Sequence, residues 1–417
     1  MTRATPATPP AFGATDRRIL FLMSIIGFVA GYAGAQMAHT LPFARTALEL
    51  TEGQMSALFA IVRAVSLFGV LFSIAADTSG RRRPLLGAYT LMLIASLGTA
   101  LIPSVAAYTV TQALVRVALV AIAALSLVLL AEELKPGIRA FGIGIFGLSG
   151  SLGVGLGLVL LPIAEANDNA WRVLFGLSAL GLLALPLLAK FLPESRAFTP
   201  APRISFIKAL GMGLSKHFWP LAAISFFIAA FSSPAFDFVL ERLINDLEWD
   251  TSAARFLLIV FSGLGAVGLL VGGRLADRYG RRPTTVAALA LGLVGGVGFY
   301  LIDSGWFLAA SIFLATLGAT MLAPSLGAHR SELFPTRVRA TANAWVTNAA
   351  IVGSIAGFAT GAILIDRIGL ATAVSTLGAG LVISMVLVLR LPETRGMDLV
   401  RAPKARTGAS PQGPVAE

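Results

Sequence analysis

The sequence is poor in the residues on which soluble and disulfide-rich proteins depend. It has no cysteine among 417 residues, which excludes disulfide bonds and thiolate-bound metal sites. Charged residues make up 13%, against roughly 25% in soluble domains. Hydrophobic residues make up 56%, and the mean hydropathy is +0.83. This composition predicts an integral membrane protein.

Long apolar runs recur along the whole chain. Many reach roughly 20 residues with few charges, the length that a helix needs to cross a bilayer. In lipid such runs must be helical, because every backbone polar group needs a partner within the segment. We therefore predict an all-α membrane protein with twelve spans, at about 19–41, 54–76, 84–103, 105–131, 138–164, 171–191, 218–243, 252–275, 283–302, 306–328, 338–364 and 369–390.

Three short motifs occur twice, about 200 residues apart. The repeats are residues 76–84 with 276–283, 133–136 with 332–335, and 192–196 with 391–395. Repeats in register over a whole chain indicate an internal duplication into two parallel halves. The resulting division is a disordered tail at 1–16, a six-helix bundle at 17–191, a connector at 192–216, a second bundle at 217–395 and a disordered tail at 396–417.

The formal net charge of +11 is unevenly distributed between the two sides of the bilayer. Arginine is concentrated in the loops on the side that carries both termini, whereas the opposite loops mix basic and acidic residues. Positively charged loops remain cytoplasmic, so both termini are predicted to be cytoplasmic in a bacterial plasma membrane. The basicity therefore reports orientation rather than binding to nucleic acid. The expected partners are the lipid bilayer and a small-molecule solute, and we expect a monomer.

The repeated loop between spans two and three resembles the signature of the major facilitator superfamily, Gly-x-Leu-Ala-Asp-Arg-x-Gly-Arg-Arg. The second copy matches at every defined position, with Gly273, Asp277, Arg278, Gly280, Arg281 and Arg282. The first copy keeps Asp77, Gly80, Arg81 and Arg82. It departs at three positions, where Ser73, Ala75 and Thr78 replace the glycine, leucine and first arginine of the signature.

The resemblance covers all twelve spans and implies a fold and a mechanism. It implies two pseudo-symmetric six-helix bundles that transport a solute by alternating access. It also implies that the signature loop holds the cytoplasmic side shut in the outward-open state. The alternative is that the arginines of this loop only fix the orientation of the chain.

Two further loops resemble those of the sugar-porter and organic-ion branches of this superfamily. They run from Glu133 to Arg139 and from Glu332 to Arg339. The resemblance implies that these four residues join the cytoplasmic charge network. The Leu-Pro-Glu-Ser/Thr-Arg sequences after spans six and twelve resemble the same branches, which are too broad to name a solute.

Three ionisable residues are predicted to lie inside spans, where such groups are costly and face a cavity. Arg63 and Arg116 fall near the middle of spans two and four, and Asp237 lies in the outer third of span seven. The alternatives are a structural ion pair or snorkelling for the arginines and an outer-interface position for the acid. Two arginines against one acid predict a net-positive cavity, and hence a small organic anion, such as a carboxylate, that moves with protons.

Span one contributes three polar candidates for the solute or proton pathway, Tyr32, Gln36 and His39. The stretch 30–33 resembles a motif of aromatic-acid/proton symporters in which both acids are missing. Small-residue rows are a further feature of spans five, eight and eleven. Close packing at these rows would suit the seams between the halves that move during transport, and static packing is the alternative. The rows comprise Gly150, Gly153, Gly157, Gly265, Gly268, Gly272, Gly353, Gly357 and Gly361.

The function predicted from these observations is secondary active transport, with proton-coupled uptake first. Proton-linked efflux of hydrophobic compounds and a non-transporting solute sensor are the alternatives. No nucleophile–base pair or metal-ligand set is recognisable, so we expect neither an enzyme nor a metal site. The proton gradient is the expected driving force, and no cofactor is expected.

Overall fold

The computed structural model describes residues 13–101, 104–134, 138–195, 217–334 and 339–395, and its regular elements in these ranges are all helical. Twelve helices are long and apolar enough to cross a membrane, which confirms the predicted number of spans. They are α1 (Ala14–His39), α2 (Glu52–Ala76), α3 (Arg82–Leu101), α4 (Val105–Glu133), α5 (Gly142–Glu165), α6 (Trp171–Phe191), α7 (Phe218–Asp246), α8 (Thr251–Tyr279), α9 (Arg281–Leu301), α10 (Gly305–Arg330), α11 (Ala342–Ile368) and α12 (Leu370–Arg390).

Several spans depart locally from regular α-helix. In the first half the departures are the tight 3₁₀ turns Leu67–Gly69, Leu161–Glu165 and Ala179–Ala184. In the second half they are the wider π turns Arg242–Asp246 and Leu258–Ser262. Such turns often mark hinges or functional positions within a helix. A short helix, Leu41–Ala47, follows α1 and precedes α2.

The packing of the helices repeats between the two six-helix bundles. In the first bundle α1 packs on α5 and α3 on α4, and in the second α7 packs on α11 and α9 on α10. Each partner in the second bundle is six spans beyond its counterpart in the first. The duplication seen in the short motifs therefore extends to the packing of whole helices.

The two bundles touch mainly through α2 and α11. We call the side where α1 begins and α12 ends the terminal face, and the opposite side the distal face. The Ser56 hydroxyl donates to the Phe358 carbonyl at 2.7 Å, and the rings of Phe59 and Phe358 stack at 4.9 Å. Toward the distal face, Asp366 accepts hydrogen bonds from the Thr51 hydroxyl at 2.8 Å and the Gly53 amide at 3.0 Å.

Three more contacts join the bundles at the distal face. Arg45 forms an ion pair with the buried Glu241 at 2.5 Å, and the Asn245 side chain donates to the Pro42 carbonyl at 3.4 Å. Arg255 donates to the Val159 carbonyl at 3.2 Å. Where both partners are described residues, every hydrogen bond and ion pair between the bundles lies between mid-depth and the distal face. Between described residues, such bonds therefore join the bundles from mid-depth to the distal face and not at the terminal face.

Candidate functional site

The central ion pair of the site joins the two bundles at mid-depth. Arg63 of α2 contacts Asp237 of α7, with 2.7 Å between Nη2 and Oδ2. The guanidinium also lies over the ring of Phe358, 5.7 Å from its centroid. Asp237 follows Pro234, which removes a helical hydrogen bond donor inside α7. The sequence-predicted acid thus meets one of the two predicted arginines, and the positive charge of Arg63 is compensated.

Arg116 of α4 has a different environment. It lines the same cavity as Arg63, yet it forms no hydrogen bond or ion pair with another described residue. The carboxylate of Asp237 attracts it and the guanidinium of Arg63 repels it, both through space. The half-buried guanidinium of Arg116 is therefore the uncompensated positive charge of this cavity.

The cavity has a volume of about 240 Å³ and lies between the bundles, on the terminal side of the Arg63–Asp237 ion pair. Its other walls come from α2, α4 and α11. The Ser66 hydroxyl is already bonded to the Arg63 carbonyl at 2.6 Å, whereas the buried Ser354 Oγ has no hydrogen bond partner among the described residues. The remaining lining residues are apolar: Leu119, Val120, Ala123 and Ile351. This arrangement suits a compact solute with one anionic group.

The three polar residues predicted in α1 do not line this cavity. The Tyr32 hydroxyl donates to the Leu174 carbonyl of α6 at 3.0 Å, so it ties together helices of one bundle. Gln36 donates to the Tyr32 carbonyl at 3.1 Å, and its buried Oε1 has no partner in the described part of the chain. The buried Nδ1 of His39 likewise has no partner among the described residues, and Asp237 acts on His39 electrostatically. A role for these residues in the solute or proton pathway stays a prediction.

The signature loop of the second bundle is held by ionic contacts at the terminal face. Arg281 pairs with Asp277 and with Glu332, the latter at 3.2 Å. The Thr394 hydroxyl donates to Glu332 at 2.5 Å. Gly280 has a φ of 113°, a conformation that residues with a Cβ rarely adopt. Nearby, Arg278 lies over the ring of Tyr279 at 5.3 Å, and Gly273 is also part of this helix end.

The loop of the first bundle repeats this arrangement with different details. Gly80 has a φ of 88°. Arg81 donates to the Ala76 carbonyl at 2.7 Å and pairs with Glu132 at 3.4 Å. Arg82 donates to the Ala189 carbonyl. The side chain of Asp77 lies outside the described part of the structure.

The repeated Leu-Pro-Glu motif has a structural role that the sequence did not reveal. The Glu194 carboxylate accepts from the backbone amides of Arg81 and Arg82, at 2.6 and 3.2 Å. Glu393 accepts from the amides of Arg281 and Arg282, at 2.8 and 3.0 Å. Each carboxylate therefore binds free N–H groups at the start of α3 or α9, where a negative charge is favoured.

Glu393 also shows a shifted pKa. Desolvation alone would raise the pKa of this carboxyl group, but hydrogen bonds from the backbone amides of Arg281, Arg282, Arg395 and Thr394 outweigh it and hold the pKa below its ordinary value.

The charge network at the terminal face includes a residue that sequence reasoning missed. Glu132 and Glu332 each follow their arginine by 51 residues, so Glu132 is the structural counterpart of Glu332. The alignment of the short motifs had instead paired Glu133 with Glu332. The sequence does contain a signal for this pairing, namely the equal separation of 51 residues between the arginine and the glutamate in each half. The role of Glu133 stays a prediction, and the side chains of Arg139 and Arg339 lie outside the described part of the structure.

The prediction that the glycine rows form the moving seams is wrong for most of their members. Gly150 and Gly153 face α1, and Gly268 and Gly272 face α10, each within its own bundle. Gly157 likewise faces Gln36 and His39 of α1, Gly265 faces α10, and Gly353 and Gly357 face α7. Gly361 does lie on the seam, since a Cβ there would be 2.5 Å from the Ser56 hydroxyl. A row of small residues shows that another helix packs closely against that face. It does not identify which helix this is.

Comparisons with known proteins agree with the geometry. The family model described as Major Facilitator Superfamily matches residues 18–302 and 218–413. A probable 4-methylmuconolactone transporter of Cupriavidus pinatubonensis is 26% identical over 304 residues, which are 69% of each chain. A gentisate transporter of Corynebacterium glutamicum is 34% identical over 103 residues, 24% of this chain and 22% of the relative. The solved structure of a D-xylose-proton symporter has a TM-score of 0.73 at 18% identity, covering 92% of this chain and 99% of the other.

Proposed function

Because the chain belongs to the major facilitator superfamily, we propose that it carries a small organic anion across a bacterial inner membrane by alternating access, in uptake coupled to protons. The cavity between the bundles is the solute site of this proposal. Arg116 is the residue that binds the anionic group, and Asp237 is the residue that carries the proton.

The observation that carries the proposal is the charge balance of the cavity. Arg63 is compensated by Asp237 at 2.7 Å, and Arg116 forms no ion pair with a described residue. An uncompensated charge inside a membrane protein is costly, and such residues mark substrate pathways. An anionic solute supplies the missing partner and removes this cost.

The orientation of the chain in the membrane determines which face of the protein meets the cytoplasm. Arginine-rich loops lie at the terminal face, which we assign to the cytoplasm by the positive-inside rule. The bundles are joined at the distal face, so the described conformation corresponds to an inward-open state. In this state the bonds of Arg81 and Arg281 that involve described residues stay within their own bundles. A latch that closes the cytoplasmic side would then engage only after the bundles rock.

The position of Asp237 supports proton coupling. Its carboxylate holds Arg63, and this bond connects α7 of one bundle to α2 of the other. Protonation removes the negative charge, so the ion pair is lost and the bundles are free to separate at mid-depth. In uptake, Asp237 would be protonated while the distal side is open, and release of the proton to the cytoplasm would let its carboxylate pair with Arg63 again and stabilise the inward-open state.

The first test compares the wild type with Arg116→Ala in thermal-shift and uptake assays on the purified full chain. Gentisate, 4-methylmuconolactone, xylose and a lipophilic cation are the probes. We expect an organic anion to raise the melting temperature of the wild type, because a ligand that binds the folded state stabilises it. Arg116→Ala should weaken this binding by roughly tenfold to a hundredfold, since a hydrogen bond to a charged group is lost.

Uptake into proteoliposomes completes this test. Transport of the anion should be accelerated by an inward-directed proton gradient in the wild type and lost in Arg116→Ala. Stabilisation and uptake of xylose without any response to anions would overturn the proposal. Arg172→Ala is the matched control, because Arg172 lies over Trp171 at 4.5 Å and bonds to Asn169, away from the cavity.

Efflux of a hydrophobic compound is a second candidate, favoured by the apolar walls of the cavity. Four of the lining residues have apolar side chains that offer no polar partner to a solute: Leu119, Val120, Ala123 and Ile351. If only lipophilic compounds stabilise the protein, and Arg116→Ala responds as the wild type does, efflux replaces anion uptake and Arg116 has a structural role.

A further inference from the structure

A further cavity lies inside the second bundle, and we call it the second-bundle cavity. It has a volume of about 60 Å³, and its walls come from α7, α8, α9, α10 and α12. All of the described residues that line it belong to the second bundle. Transporters built from two repeats move them largely as rigid bodies around a site that lies between them. A molecule inside one bundle is therefore bound by the protein but is not on the path of the transported solute.

The walls of the second-bundle cavity are mainly apolar and aromatic. Phe231, Phe236 and Phe299 line it, and none of the described lining residues is charged. The Tyr300 hydroxyl is also part of the wall, but it already donates to the Ala235 carbonyl at 2.8 Å. Apolar cavities in proteins stay dry and bind apolar molecules. The composition of the walls therefore suits an uncharged apolar molecule and disfavours an ion.

The second-bundle cavity is least closed on the side formed by α7 and α8. Phe236 is 44% exposed there, and Ser232 and Ser262, the other polar side chains of the wall, are half-buried. Both helices are irregular at this side, because Pro234 removes a backbone donor from α7 and the π turn Leu258–Ser262 interrupts α8. This side provides the route by which a small molecule reaches the cavity.

The internal duplication shows how the second bundle comes to have this space. The signature loops align Gly80 with Gly280, an offset of 200 residues, so Gly292 of α9 corresponds to Met92 of α3. Met92 is fully buried in the core of the first bundle. Gly292 lines the second-bundle cavity, and the nearest atom to a Cβ added there is Cδ1 of Leu381 at 3.9 Å. The second bundle thus has no side chain at a position that a buried methionine fills in the first.

We propose that the second-bundle cavity is a binding site for a small uncharged apolar molecule, which the protein holds but does not carry. The volume of about 60 Å³ is less than half of the roughly 150 Å³ of an apolar cavity that takes benzene, so the occupant is smaller than a benzene ring. It packs against Ala235 and Phe236, directly before Asp237, and supports α7 where Pro234 weakens the helix. This inference does not depend on which solute is transported.

The test uses xenon, an uncharged apolar atom whose anomalous scattering reveals its position. Crystals of the purified full chain are exposed to xenon under pressure, and we expect a xenon peak in the second-bundle cavity of the wild type. In Gly292→Met, which introduces the residue of the first bundle, the xenon occupancy should fall roughly fivefold or more because the space is filled. Ala319→Leu narrows the same cavity from α10 and should have the same effect, so the test remains decisive if Gly292→Met does not fold.

Two variants serve as controls for the position of the site. Gly263→Met makes the same substitution on α8 of the same bundle, where nothing lies within 4 Å of an added Cβ, and the xenon occupancy should be unchanged. Arg116→Ala alters the cavity between the bundles and should also leave the occupancy unchanged. Loss of xenon in Arg116→Ala would overturn the inference, because the two cavities would then act as one site.

The outcomes separate this inference from the proposed function. A wild type without xenon in the second-bundle cavity, or equal occupancy in the wild type, Gly292→Met and Ala319→Leu, would overturn the inference and leave organic-anion transport standing. Stabilisation by organic anions should persist in Gly292→Met, and its absence from both Gly292→Met and the wild type would overturn only the proposed function. A small apolar compound that stabilises the wild type and Arg116→Ala, but not Gly292→Met, would support binding in this cavity rather than efflux.

Discussion

At the scale of single residues, the chain uses carboxylates to satisfy backbone groups as well as arginines. Glu194 and Glu393 each bind two amides at the start of a span, from 111 to 113 residues away in the sequence. A helix usually receives such a group from its own capping residue. Here Gly280 occupies the capping position of α9 and has no side chain to offer, and Gly80 lies just before the first turn of α3; both glycines have positive φ. The distant glutamate takes over that role in both bundles.

Glu393→Gln should therefore lower the stability of the folded protein by about 0.5–1 kcal/mol near neutral pH, the lower range for a lost cap because the group is exposed. The folded-state pKa of Glu393 lies below its ordinary value of 4.5. The stabilisation is thus complete above pH 4.5 and is lost as the pH falls through the folded-state pKa. Thermal melts between pH 7 and pH 3 should show the wild type and the variant converging in acid.

Glu165→Gln is the control for this pH series, because Glu165 is exposed and forms no hydrogen bond with a described residue. Its melting curve should follow the wild type at every pH. A constant difference between wild type and Glu393→Gln down to pH 3 would contradict the assigned role of the carboxylate.

Sequence reasoning at this scale found charged residues but not their partners. Arg63, Arg116 and Asp237 were recognisable because ionisable side chains are rare within apolar runs. Which arginine Asp237 compensates depends on how α2 and α7 pack, and no local pattern encodes that.

At the scale of helices, the number of spans and their duplication into two halves were accessible from the sequence, whereas the contacts between the bundles were not. Twelve apolar runs gave twelve helices, with ends within a few residues of the predicted ones. The glycine rows correctly marked close approaches but mostly within a bundle. The seam between α2 and α11 is instead made by polar caps and aromatic rings, including Thr51, Phe59, Phe358 and Asp366.

The contact of Asp366 with the first turn of α2 is expected to hold the distal side closed. Asp366→Ala removes two hydrogen bonds, to Thr51 and Gly53, at the positive end of a helix. A loss of about 1–2 kcal/mol would raise the population of distally open molecules by roughly fivefold to thirtyfold. Spin labels on Asp168→Cys and Ser252→Cys, exposed residues at the distal ends of different bundles, would report this as a longer distance.

The matched control for the distal seam is Asp303→Ala. Asp303 pairs with Arg242 at 2.6 Å, also near the distal face, but both residues belong to the second bundle. The distance distribution should be the same as in the doubly labelled parent. If Asp303→Ala and Asp366→Ala lengthen the distance equally, the effect is a general loss of surface ion pairs rather than opening of the seam.

At the scale of the whole molecule, the distribution of contacts defines a state. Between described residues, the bundles share bonds at the distal face and at mid-depth, while the terminal motifs bond within each bundle. Rocking about the central site would exchange these two sets of contacts. The ion pair between Arg63 and Asp237 lies between them, so it is the contact that solute and proton can both influence.

The absence of native cysteine makes this state measurable, because an introduced cysteine is the only thiol in the chain. Ala123 lines the cavity, and Ala47 lines a cleft at the distal face. With the terminal face in the cytoplasm, Ala123→Cys should react at least tenfold faster with a membrane-impermeant maleimide in inverted vesicles than in intact cells, and Ala47→Cys should show the reverse.

Reaction of Ala47→Cys in inverted vesicles would reverse the assigned orientation, since that cleft lies on the side opposite the termini. Reaction of Ala123→Cys from outside, with Ala47→Cys behaving as expected, would instead mean that the distally open state dominates in the membrane.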